Sequence, residues 1–372
     1  MAAPVPVLLL VRELNQGGCE RDLTKMALRL DRSRFQPHVA CFRPEGMRRP
    51  ELVAAGVPVL PLPVRSFMSH TALRGGWMLR DYMRRHGIRL VHSFDVPMSV
   101  FTPPWARLAG VDAVITSQLS YRSLAPPELR AGLRLADRLA DRVVVNCEAM
   151  WRHMAADEGC PEKKLFLCYN GVETELFHPG PRDLPPELGN APLVIGCVCA
   201  LRPEKRLDVL IRAFAKVRGA VPGAKLAIVG SGAELPRLQA LAEALGVSRD
   251  IVFQPAIPEV PRWLRAMDIF VLASDSEAFS NSLLEAMACG CCPVGSRTGG
   301  TPELIVENEC GLIFPSGDES ALAGCLLTLI EQPALRDRFR TAAAVRARDH
   351  FGIETAVERI SALYAELLGC PR

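Results

Sequence analysis

DIFVLASDSEAFSNSLLEAMACGCCPVGSRTGGTPE occupies residues 268–303. Its first six residues, Asp268–Ala273, form a short apolar run with the look of a buried strand. Ser280 or Asn281 is a suitable N-cap, and Ser282–Ala288 is a strong helix former. Strand followed by helix puts the helix N-terminus, with its free N–H groups and partial positive charge, at the carboxyl edge of a parallel strand. Ligands of open α/β sheets bind at such edges, and phosphates bind at such helix ends.

The same alternation runs through the chain in both directions. Short apolar runs occur at Val5–Val11, His38–Phe42, Val57–Leu60, Leu90–Phe94, Ala113–Thr116, Val143–Asn146 and Leu165–Tyr169. A second series follows at Leu193–Ala200, Lys225–Gly230, Ile251–Gln254, Ile269–Ala273, Pro293–Gly295 and Leu312–Phe314. Amphipathic stretches such as Arg21–Leu30, Leu207–Val217 and Leu235–Leu245 lie between them. Two such series in tandem predict an α/β protein of two doubly wound, parallel-sheet domains. Phe177–Pro192 holds prolines at 179, 181, 185, 186 and 192, so it continues neither a helix nor a central strand. The expected domains are therefore 1–178 and 193–352, with 179–192 as linker. Ile353–Leu368 is again amphipathic, and a C-terminal helix over about 353–372 can pack back on the first domain.

Composition narrows the classes. Of 372 residues, 49% are apolar and 23% charged, the balance of a globular chain rather than a disordered one. No apolar run is long enough to span a membrane as a helix, and Val5–Val11 lacks the flanks of a signal peptide. The 13 cysteines are odd in number and sit among apolar neighbours, which suits buried thiols in a reducing cytoplasm. Cys289–Cys292 has C-x-x-C spacing, but no second pair stands at metal-ligand distance, so no metal is expected. Residues 1–180 carry 24 Lys and Arg against 18 Asp and Glu, a balance of +6, and the remainder carries 20 against 23, a balance of −3. Neither is the footprint of a nucleic-acid binder.

Glu277 precedes the helix and Glu285 lies within its first two turns. Beside a phosphate these carboxylates repel, so the job that fits them is accepting hydrogen bonds from hydroxyls, as in a ribose and a sugar. Each such bond contributes about 1.5–3 kcal/mol. A single glutamate of this kind is usually an ordinary surface acid; the whole stretch is not. Glu277-x₇-Glu285, with Ala286-Met287-Ala288, Gly290, Pro293-Val294 and Gly299-Gly300-x-Pro302-Glu303, resembles the donor-binding signature of family-4 retaining glycosyltransferases. The resemblance covers essentially the whole chain. It implies the GT-B fold, in which two Rossmann-like domains face each other across a cleft.

Further positions match that family's pattern less specifically. Gly17-Gly18-x-Glu20 resembles its glycine-rich cleft loop, although a Gly-Gly pair alone is more often a turn. His92 matches a histidine near the transferred sugar, whereas a lone histidine commonly satisfies a core hydrogen bond. Asn170-Gly171-Val172 matches the interdomain segment, and Gly230-Ser231-Gly232 a turn beside the nucleotide. The family's diphosphate clamp of Arg and Lys is only half present. Lys205 falls in register, Ala200 stands where the arginine is expected, and Arg202 is two residues away from that place. Ala278 replaces a glycine common in the family, narrowing the space beside the sugar.

The resemblance implies transfer of a sugar from a nucleoside-diphosphate donor to an acceptor hydroxyl with retention, in cell-surface polysaccharide or glycolipid assembly. Glu277 would hold the sugar and Glu285 the ribose. Lys205, Arg202 and the helix start around Phe279, Ser280 and Asn281 would stabilise the departing diphosphate without metal. Asp275-Ser276-Glu277 looks like the acidic triplet of metal-dependent transferases, but it precedes the Glu-x₇-Glu helix in a second domain, which disfavours that role. The third glycine of a dinucleotide fingerprint is missing after Gly230-x-Gly232, where Leu235 stands, and no P-loop is present. A GT-B-fold epimerase or phosphorylase, or a degenerate paralogue acting as a binding protein, stays open. Arg74–Arg89 interleaves arginines with Trp77, Met78, Tyr82 and Met83; such a helix either rests on an anionic membrane or packs on the core with a solvated basic face. The former suits a lipid-linked acceptor at the cytoplasmic face of a membrane.

Overall fold

In the computed structural model of the chain, residues 3–15 and 17–369 are described. They divide into two compact units, Met1–Gly171 with Ile353–Arg372, and Val172–Gly352.

The first unit is built on β1 (Val5–Leu10), β2 (Phe35–Cys41), β3 (Val59–Pro61), β4 (Leu90–Ser93), β5 (Ala113–Gln118), β6 (Arg142–Val145) and β7 (Leu165–Leu167). They form one sheet in the order β3-β2-β1-β4-β5-β6-β7, with every pairing parallel. Both faces of such a sheet are covered, so its strands read as continuous apolar runs. Along β1, Val7 and Leu9 face one core, while Leu8 and Leu10 face the other. The first core is closed by the helix Ile353–Leu368, through Ile353, Val357, Ile360, Leu363, Tyr364 and Leu368. The second is closed by the helices His70–Arg85 and Val96–Ala109, through Leu79, Met83, Met98 and Phe101. The C-terminal segment thus belongs to the first unit, and its residues 370–372 lie outside the described residues.

The second unit carries β8 (Val194–Val198), β9 (Lys225–Val229), β10 (Ile251–Gln254), β11 (Ile269–Leu272), β12 (Cys292–Ser296) and β13 (Leu312–Phe314), ordered β10-β9-β8-β11-β12-β13. All are parallel. Strand order reverses between β1 and β4 in one sheet and between β8 and β11 in the other. Those switch points open crevices at the carboxyl ends of the strands.

The proline-rich stretch expected as a linker over 179–192 is not a free tether. It counts with the second unit, where Leu188 and Ala191 are buried and the Arg182 guanidinium bonds to Ala191 O and Asp268 Oδ2, both at 3.0 Å. Prolines exclude regular elements, but they do not exclude packing. Among the described residues, no helix is long and apolar enough to cross a membrane.

Candidate active site

Two loops converge over the β8/β11 switch point. One follows β8 through Cys199–Lys205; the other follows β11 through Ala273–Ser280. They meet where Lys205 Nζ donates to Glu277 Oε2 at 2.5 Å. Ser274 Oγ donates to the same oxygen at 3.4 Å. The two side chains are 20% and 15% exposed, so the pair is sheltered yet open on one side. Burial alone pulls the Lys205 ammonium down, but the Glu277 carboxylate outweighs it and raises the pKa, keeping the lysine charged.

The Glu277 loop is held from behind by its neighbours. Asp275 N–H donates to Glu204 O at 3.0 Å, Thr298 Oγ1 to Asp275 O at 3.2 Å, and Gly300 N–H to Ala278 O at 2.6 Å. Gly299 lies at φ +47°, and a Cβ there would sit 1.6 Å from Glu277 O. The Gly299-Gly300 pair therefore does a backbone job, letting one loop lie directly against the carbonyl of the other.

The helix Asn281–Ala288 begins beside this pair. Ser280 is its N-cap, its Oγ accepting the Leu283 N–H at 3.3 Å. Asn281 is the first helical residue. Phe279 is buried, its ring 5.6 Å from that of Phe351, so it anchors the loop. Glu285 lies deeper on the helix and is 2% exposed.

Gly230 and Gly232 serve another purpose. Cβ atoms there would lie 1.8 Å from Cys199 O and 2.3 Å from Leu201 O, so the turn after β9 buttresses the Lys205 loop through its backbone. Leu201 N–H donates to Ser231 O at 3.0 Å. Arg202 stands apart, its side chain 68% exposed and 3.9 Å from Glu204. Ala200 is also exposed. Arg206, which nothing in the sequence marks, sits in the left-handed region at φ 47°. Its guanidinium bonds Asp208 at 3.1 Å and approaches Asp275 at 3.9 Å.

In the first unit, Gly17 caps the helix Gly18–Arg29 and a Cβ on it would collide with the Glu20 carboxylate at 1.9 Å. Gly17 thus makes room for an N3 glutamate folded back over the helix start. Gly18 is the first helical residue.

His92 does not present a nitrogen to solvent. It is 1% exposed, with Nδ1 2.7 Å from Tyr364 OH and Nε2 2.8 Å from Ser117 Oγ. Burial drives its pKa down to about 3, so it is a neutral core residue tying β4 to β5 and to the last helix. The catalytic role expected for His92 does not fit this geometry; the commoner fate of a strand histidine does. At the carboxyl end of β4 the acid is the half-buried Asp95, for which the sequence analysis has no role. Its Oδ2 accepts Arg12 N–H at 2.6 Å and its Oδ1 Met98 N–H at 2.9 Å, while burial pushes its pKa up to about 6. An Asp ahead of Val96-Pro97, a helix start with proline inside it, was the available signal.

Among the described residues the cysteines are free thiols. Cys289, Cys291 and Cys292 are buried, and desolvation raises Cys289 and Cys292 to about 12. Among the described residues, no three His, Cys, Asp or Glu side chains gather as metal ligands.

Two Rossmann-like units, one of which sets a lysine–glutamate pair and a helix start at its switch point, define the GT-B class of α/β glycosyltransferases. The chain belongs to family 4 of these enzymes and is a glycosyltransferase: the family described as "Glycosyl transferases group 1" matches residues 185–346 and "Glycosyltransferase Family 4" matches residues 16–176. It is 32% identical over 278 residues, 70% of this chain and 72% of the relative, to a GDP-mannose-dependent alpha-(1-6)-phosphatidylinositol monomannoside mannosyltransferase of Mycolicibacterium smegmatis. It is 31% identical over 323 residues, 80% of this chain and 71% of the relative, to a D-inositol 3-phosphate glycosyltransferase of Corynebacterium jeikeium. In fold it is similar to Anabaena HepE, solved in complex with UDP-glucose, with a TM-score of 0.83 at 21% identity, covering 97% of this chain and 99% of that one.

Proposed function

We propose that the chain is a retaining, metal-independent glycosyltransferase that moves a sugar from a nucleoside-diphosphate donor to an acceptor hydroxyl in cell-surface polysaccharide or glycolipid assembly. The observation that carries this reading is the Lys205–Glu277 pair beside the Asn281 helix start. The C–O bond from anomeric carbon to diphosphate breaks, and the acceptor oxygen bonds to the same face. The acceptor proton passes to the departing phosphate oxygen. Charge on the leaving group is met by Lys205, by the helix N–H groups, and by Arg202 swung in from solvent. These donors take the place of a divalent ion. Glu277 accepts hydrogen bonds from sugar hydroxyls and Glu285 from the ribose. The name of the M. smegmatis relative, GDP-mannose-dependent, supports a nucleotide-sugar donor.

We further propose that the enzyme works at the inner face of a membrane on a lipid-linked acceptor. Leu73 and Trp77 are 61% and 48% exposed on the helix His70–Arg85, and Arg74, Arg84 and Arg85 are exposed along it. Apolar side chains flanked by arginines favour an anionic interface.

Calorimetric titration with UDP, GDP, ADP and dTDP, first with magnesium and then with EDTA, tests the first reading. One diphosphate is expected to bind equally in both buffers and to be lost in K205A. Binding that needs magnesium, or survives K205A unchanged, overturns it.

A further inference from the structure

The amino-terminal edge of the first sheet holds a basic cavity. It measures about 490 Å³ and lies at the starts of β5, β6 and β7, where the helices Val96–Ala109 and Pro127–Leu139 end. Its cations are Arg107, Arg138, Arg142, Lys163 and Lys164, drawn from three separated stretches of chain.

Some of this charge is answered locally. Arg107 pairs with Asp141 at 2.8 Å and donates to Leu139 O. Arg142 meets Glu366 at 2.9 Å. The other acid in the lining, Asp112, is taken by Arg89 at 2.5 Å. Lys164 is different: its ammonium donates to the carbonyls of Asp137, Arg138 and Ala140 at 2.9, 2.9 and 2.8 Å, all uncharged partners. The side chains of Arg138 and Lys163 are exposed and, among the described residues, have neither a hydrogen-bond nor an ion-pair partner. Three positive charges therefore converge on one concavity with no acid in ion-pair contact with any of them, Asp137 acting on Lys164 only through space. Lys164 contributes charge, its N–H donors being taken, and Arg138 and Lys163 supply the free donors. Low-dielectric walls concentrate such a field, and guanidinium and ammonium groups together match the oxygens of a phosphate.

We propose that this cavity binds a phosphate-bearing anion, at a place distinct from the donor residues of the second unit. A lipid headgroup and a free phosphate share the chemistry. Lys164 and Arg107 form the floor, fixed by the helix-end carbonyls they cap, while Arg138 and Lys163 close on the ligand from the rim.

The test is pyrophosphate calorimetry in K205A, which removes the donor lysine, with and without R138E and K163E. Both rim side chains are exposed and partnerless, so the fold tolerates their reversal; circular dichroism and melting check this. The proposal expects K205A to bind pyrophosphate and the added pair of reversals to weaken it by about tenfold or more. Were K205A itself to misfold, R138E/K163E in the wild-type background must reduce the number of pyrophosphates bound by one. Flotation with vesicles of phosphatidylcholine, with and without phosphatidylglycerol, separates the sources. Loss of phosphatidylglycerol-dependent flotation in R138E/K163E assigns a headgroup; loss of pyrophosphate binding with unchanged flotation assigns a free phosphate. Pyrophosphate binding and flotation both indifferent to R138E/K163E overturn the proposal.

Discussion

Lys205 Nζ and Glu277 Oε2, 72 positions apart in the chain, share a hydrogen bond of 2.5 Å that joins the loop after β8 to the loop after β11. Removing the lysine strands a carboxylate that is only 15% exposed. K205A is expected to lose about 1–3 kcal/mol of stability by urea melting. K205A/E277A recovers part of it, because neither charge is then left alone. Diphosphate affinity does not recover in the double variant. A double variant no more stable than K205A defeats the coupling.

Gly299 shapes the same loop without offering a side chain. At φ +47° with Glu277 O in the path of a Cβ, G299A must move the backbone that carries Glu277. Gly56, at φ +68° with nothing within 4 Å of a built Cβ, is the control. G56A is expected to cost about 1 kcal/mol with turnover intact. G299A costs more and lowers kcat/KM at least about tenfold, as displaced active-site groups do. Equal kinetics in the two variants would remove the link between Gly299 and Glu277.

Ala200 is exposed in the Lys205 loop, so a longer side chain fits there. A200R is expected to tighten diphosphate binding by about tenfold, the worth of one charge-assisted hydrogen bond. R202A, removing a side chain that is 68% exposed, weakens binding less than K205A does. An A200R protein with unchanged affinity means that position 200 does not face the diphosphate.

Stability should depend on pH through two buried groups of opposite sign. His92 has its pKa lowered from 6.5 to about 3, so between those values the unfolded chain binds the extra proton. Its contribution is complete above pH 6.5 and is lost as pH falls toward 3, at up to about 1.4 kcal/mol per pH unit. Asp95, raised from 3.8 to about 6, does the reverse: the folded chain holds the proton, and stability declines as pH rises through that window. The two slopes offset each other from about pH 4 to 6. H92Q removes the first, so from about pH 4 to 6 the stability of that variant in urea melts should gain less with rising pH than that of wild type, in which His38, lowered to about 4, adds a slope of the same sign as His92. A parallel pair of curves refutes this assignment.

Much of the fold is legible because strand and helix periods differ and because both faces of each sheet are buried. The boundaries follow less well, and proline is the reason. Pro37 argues against strand at its own position, and the run expected over Pro293–Gly295 starts on a proline, yet β2 begins at Phe35 and β12 at Cys292. Each proline lies where one neighbouring strand is too short to reach it: β3 pairs with β2 only from Val39, and β13 with β12 only from Val294. A missing N–H is harmless there. At the site, residue types announced Lys205, Glu277 and the helix start. Partnerships did not show: His92 meets Tyr364 across 272 positions, and only the folded chain reveals that both ring nitrogens are taken. Gly17, Gly230 and Gly299 read as loop glycines near a ligand, while their contacts are with other parts of the protein.

The first unit is discontinuous, and this sets an order on the ribosome. Residues 1–171 emerge early but lack Ile353–Leu368, whose Tyr364 and Leu363 are 0% and 1% exposed in the finished core. Until that helix appears, Phe35 lacks the Tyr364 ring that meets it at 5.8 Å, and the core shared by Val7, Leu9 and Leu23 is only partly filled. The second unit, contiguous from Val172 to Gly352, has everything it needs before the first does. The domain made first is therefore completed last, and its nascent apolar face is the stretch on which a chaperone has longest to act.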